Sequence, residues 1–121
     1  MDSRELVIND MKALVKNCDE TIADFRDFGK RKCQAGGLAY EVGMQLSALR
    51  DHWESTYQYV TLNGYDEEGE YSHARLGYSV SLAYKRFSEI VNSFRFGLDR
   101  LKLLDEYNRF EVYMAKETGR N

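Results

Sequence analysis

"SFRFGLDRLKLLDEYNRFEVYM", residues 93–114, decides how many helices the chain forms. Up to Leu101 its apolar residues continue a stripe that starts upstream. Leu76, Val80, Ala83, Phe87, Val91, Phe94, Leu98 and Leu101 recur at threes and fours and share one side of a helix at about 100° per residue. Past Leu101 that side would present Asp105 and Arg109, which are polar. A second stripe, made of Phe96, Leu103, Tyr107, Phe110 and Met114, is rotated from the first by about half a turn. Two arrangements produce such a change of side. Either the helix breaks near Leu104 and a short fourth helix folds back with its own buried face, or one helix of about 45 residues, on the order of 65 Å, overhangs its neighbours and buries the second stripe against another molecule. No proline or glycine lies between 98 and 118 to mark a break, which favours the overhanging helix.

Working back from this stretch, two more stripes of the same period appear. Val7, Met11, Leu14, Cys18, Ile22, Phe25 and Phe28 form one, preceded by Asp2 and Glu5 in the spacing of a capping box. The paired glycines Gly36 and Gly37 are expected to end that helix. Ala39, Val42, Leu46, Leu49, Trp53, Tyr57 and Val60 form the other, over about 38–61, closed by Asn63 and Gly64. Ser72 is the N-cap signal of the third helix, with Arg75 where a capping box would carry an acid. The chain contains no proline, so long helices are permitted. The expected fold is therefore all-α: a single domain over 1–121, an antiparallel bundle of three long helices, the last either continuous or broken to give a fourth. "TYQYVTL" (56–62) and "YSVSLAY" (78–84) also alternate at period two around Asn63-Gly64, which keeps a small β-hairpin open as an alternative. The intervening "YDEEGEY" is a poor strand, because Asp, Glu and Gly are depleted in sheets.

The 121 residues, 43% hydrophobic and 31% charged, suit one domain with one core, and no apolar run reaches the roughly 20 residues of a membrane span. The acids at Asp2 and Glu5 stand where a signal peptide would need a basic and then an apolar segment, so a cytoplasmic chain is expected. Cys18 and Cys33, read as lying on one helix about 15 residues apart, would be separated by about 22 Å and unable to pair.

Signals for chemistry are thin. The only histidines are His52 and His73, and His52 with Asp51 and Glu54 lacks the spacing that points ligands at one metal. "DEEGEY" lacks the alternating ligands of a calcium loop, and the phosphate-binding, nucleophile-elbow and dinucleotide motifs are absent. Neither an enzyme, a cofactor nor a metal is expected. The features that remain concern binding. Tyr65, Asp66, Glu67, Glu68, Glu70 and Tyr71 make an acidic, tyrosine-rich connection that would steer a basic partner. The displaced stripe of Phe96, Leu103, Tyr107, Phe110 and Met114 would seat a protein partner or a second copy. Residues 1–70 carry 8 basic and 14 acidic side chains, whereas residues 71–121 carry 9 and 6. Arg86, Arg95, Arg100, Lys102 and Arg109, interleaved with Phe94, Phe96 and Tyr107, make a basic flank that allows a nucleic-acid reading, against which the net charge of −3 counts. The leading expectation is a small adaptor, assembly factor or inhibitor, of the kind phages and mobile elements carry, that docks a protein or self-associates.

Overall fold

A computed structural model describes residues 2–30, 36–97 and 99–119, with the side chains at 36 and 100 left out; Cys33 and Leu98 lie outside the described residues. Four helices account for most of it: α1 (Ser3–Gly29), α2 (Gly36–Asn63), α3 (His73–Arg95) and α4 (Arg100–Thr118). The all-α bundle expected from the three apolar stripes is what the chain forms, with the last segment broken into two helices. Both stretches that alternate at period two lie in helices, and the hairpin alternative falls away. Among the described residues the only strand-like feature is a lone bridge between Asp66 and Ser72 inside the α2–α3 loop.

The helix ends follow local chemistry. The Asp2 carboxylate accepts a hydrogen bond from the Glu5 N–H at 2.9 Å, and the Ser72 hydroxyl accepts one from the Arg75 N–H at 3.3 Å, each satisfying an otherwise orphaned donor. Gly64 (φ 78°) takes the left-handed conformation directly after α2. The expectation that Gly36-Gly37 would end the first helix is corrected. That helix stops at Gly29, capped by Lys30, and the glycine pair opens α2.

The decisive break also falls earlier than Leu104. α3 ends at Arg95, Gly97 turns the chain with φ 65°, and Asp99 caps α4 by accepting from the Lys102 N–H at 3.0 Å. The continuous overhanging helix is thereby excluded. Restarting the helix resets its phase, so the two stripes separated by half a turn belong to two helices, each with one buried side.

α1 and α2 form a close antiparallel hairpin. Gly43 would place a Cβ 3.6 Å from Phe25, Asp19 meets Arg50 at 2.9 Å, Lys12 lies over the Tyr57 ring at 5.7 Å, and the Tyr65 hydroxyl donates to the Arg4 carbonyl at 2.8 Å. Each step forward along α1 is thus matched by a step back along α2 and its loop. α3 runs along α1 in the same direction, from Val7 against Gly77 to Phe25 against Phe94, whose rings meet edge to face at 5.1 Å. α4 runs along α2, with Tyr107 beside Gln45 and His52 Nε2 3.3 Å from Glu117 Oε1. The core between these hairpins centres on Met11, Leu14, Cys18, Leu46, Leu49 and Trp53, all fully buried. Burial pushes the Cys18 thiol up to about 12, with Asp19 adding to the shift. No described helix is long and apolar enough to cross a membrane.

Candidate interaction surface

The second stripe turns inward. Leu103 is 4% exposed, Phe110 2% and Met114 3%, and Tyr107 is half-buried against the same core. The chain itself covers these residues, so the expectation that they face a partner is corrected: a helix that folds back on α2 and α3 must bury its apolar side there. Phe96 parts company with them and stands 81% exposed at the α3–α4 turn.

What α4 displays is its other side. Leu101, counted in the sequence as the last member of an internal stripe, is 75% exposed, and Leu104 and Val112 are exposed with it. At 100° per residue Leu101, Leu104 and Val112 fall on one side of α4, opposite Leu103, Phe110 and Met114. On α3, Tyr78 is exposed and Leu82 half-buried one turn along the same side. Five of the nine exposed large apolar side chains, Tyr78, Phe96, Leu101, Leu104 and Val112, therefore belong to the α3–α4 hairpin. Leu6 and Leu62 stand singly on the other hairpin, where Tyr40 and Met44 form a smaller pair.

Between α3 and α4 the helices part into an open groove of about 560 Å³. Leu82, Val112 and Tyr113 give it an apolar wall, and Arg86, Arg109 and Lys116 give it a cationic rim. Two of these cations are already engaged: Arg86 with Glu89 at 3.1 Å and Arg109 with Glu106 at 3.2 Å. Behind the groove Tyr113 is 7% exposed, and its buried hydroxyl lacks a hydrogen-bond partner, as does the Nε1 of neighbouring Trp53. The two side chains interact, but outside hydrogen-bonding geometry. Burial, with the Glu117 charge adding to it, drives the Tyr113 phenol well above its ordinary range.

The acidic loop divides into two kinds of residue. Its tyrosines hold it to the bundle: Tyr71 stacks on Tyr59 with ring centroids 4.1 Å apart, and Tyr65 packs edge-on to His73 while donating to Arg4. They are half-buried structural contacts. Asp66, Glu67, Glu68 and Glu70 are exposed, and none has an ion-pair partner among the described residues. Gly69, at φ 95°, supplies the left-handed turn that brings these four acids close together. The loop lies beside the end of the groove, since Glu70 and Tyr71 share a small pocket with Arg75, Lys116 and Glu117.

Tyr78, Leu82, Leu101, Leu104 and Val112 were not singled out by sequence as a surface. The signal that finds them is Gly97 followed by Asp99, a left-handed turn and an N-cap, which restarts the helical phase. No known protein family matches the chain, and neither a curated protein nor a solved structure is significantly similar to it, so the surface is read from its own chemistry.

Proposed function

We propose that this chain is a small non-enzymatic interaction protein of the cytoplasm, an adaptor, assembly factor or inhibitor, that docks a protein on the outward side of the α3–α4 hairpin. The observation that carries the reading is the gathering of exposed apolar side chains around one open groove. A continuous apolar strip rimmed by charge is the usual composition of a protein-binding surface, while scattered single residues are not. Nucleic acid is the weaker occupant. Arg86 and Arg109 already have carboxylate partners, and a strip of leucine, valine and phenylalanine offers phosphate nothing.

Affinity capture from a lysate of the source organism tests this, run with and without nuclease and repeated with Leu101→Asp/Val112→Asp. Both side chains are exposed, so the double variant should retain its helical signal and thermal midpoint while losing the captured protein. Capture that survives both substitutions would refute the proposal, and capture abolished by nuclease would return the basic flank to first place.

A further inference from the structure

The α3–α4 face carries different charges at its two ends, and this polarity selects an occupant. Where α3 begins and α4 finishes stand Asp66, Glu67, Glu68 and Glu70, exposed and unpaired among the described residues. At the turn end Arg95 and Lys102 are exposed, and neither has an acidic partner among the described residues. Of the acids there, Asp99 is occupied as the N-cap of α4, and exposed Asp105 has a counterpart in Lys116 at the opposite end. The apolar strip runs between the two ends.

We infer that the surface is occupied by a second copy of this chain, laid antiparallel across a twofold axis. The inference rests on the reading that this face is a docking surface. Antiparallel overlap sets strip against strip and brings the acidic loop of each copy to Arg95 and Lys102 of the other. Parallel overlap would set acid against acid and cation against cation, which is unfavourable wherever the charges are close. A twofold contact is closed, so the product is a dimer and not a fibre. The size is adequate. The 23 residues of α3 span about 34 Å, and two helices side by side are about 20 Å across, giving a face on the order of 700 Å², near the roughly 800 Å² per partner of a standard interface.

Sedimentation velocity over a range of protein and salt concentrations tests the inference. A monomer–dimer equilibrium is expected, weakening as salt rises because the end contacts are solvent-exposed ion pairs. Glu67→Lys/Glu68→Lys and Arg95→Glu/Lys102→Glu should each raise the dimer dissociation constant at least about tenfold. Mixing the two variants should restore a heterodimer, because each reversed loop then meets a reversed turn and each native loop a native turn. A wild-type chain that stays monomeric to about 1 mM, or a mixture that fails to associate, overturns the inference. If the wild type is monomeric and Leu101→Asp/Val112→Asp abolishes capture of another protein, the second copy is ruled out and the docking face stands. If that variant captures as the wild type does, both readings fail.

Discussion

Phe110→Ala separates a residue buried within one chain from a residue buried between two. Phe110 is 2% exposed and packs near Tyr113, their ring centroids 6.1 Å apart, in the core beneath α4. Truncating a fully buried phenylalanine costs about 3 to 5 kcal/mol, from lost transfer free energy and the cavity left behind. Against the roughly 5 to 15 kcal/mol that holds a domain of this size, that is a third or more of the total, and the thermal midpoint should fall by on the order of 10 to 20 °C. Urea unfolding followed by circular dichroism and by the fluorescence of Trp53, itself fully buried, gives the loss directly. The experiment should be run at two protein concentrations about 100-fold apart. A destabilisation equal at both is expected, because the contacts of Phe110 are made inside the chain. A loss below about 1 kcal/mol, or one that vanishes at the lower concentration, would show that α4 is not folded back onto its own bundle.

Three other outcomes follow from local chemistry. Tyr113→Phe removes a buried hydroxyl without a partner, so stability at neutral pH should change by less than about 1 kcal/mol or rise, as chemical denaturation would show; a loss above about 2 kcal/mol would mean the hydroxyl is satisfied. Gly97→Ala forces an L side chain to φ 65° in otherwise open space, and should cost about 1 kcal/mol through the backbone alone, with no loss meaning that the turn has another conformation. The Cys18 thiol is raised from 9.0 to about 12 in the folded chain, so the unfolded chain releases its proton first and stability should fall as pH rises from about 9 towards 12. In a Cys33→Ser background Cys18 should react with a thiol reagent only as fast as the protein opens, and rapid reaction in the native state would contradict its burial.

Much of the fold is legible because apolar period and burial coincide. Met11, Leu14, Cys18, Leu46, Leu49, Trp53 and Val80, all placed on stripes by spacing alone, are the fully buried residues of the core. The alternating stretches mislead only locally: Tyr57 and Tyr59 are both half-buried, so a helix edge reproduces a period of two over a few residues. The boundaries are less legible. A glycine pair weakens a helix wherever it stands, so Gly36-Gly37 is as compatible with the opening of α2 as with the end of α1. The binding face was obscured by the turn at 96–99. A single-turn connection leaves no composition shift, and the stripe beyond it, apolar and out of phase, has the same sequence pattern whether it meets a partner or its own chain. Only the restart at Asp99 decides which side of α4 is inward, and with it that Leu101, Leu104 and Val112 face out. The charges of the acidic loop were legible as exposed, but the inward role of Tyr65 and Tyr71 depends on Arg4, His73 and Tyr59, contacts that spacing does not encode.

The central claim, that the outward side of the α3–α4 hairpin is the binding surface, is tested most directly by amide NMR spectra recorded from dilute to concentrated protein, and again with any captured partner added. The account predicts shifts and broadening confined to residues around Tyr78, Leu82, Leu101, Leu104 and Val112, joined by the acidic loop and by Arg95 and Lys102. Changes centred instead on Tyr40 and Met44, or along the exposed side of α1, with the α3–α4 signals unmoved, would contradict it.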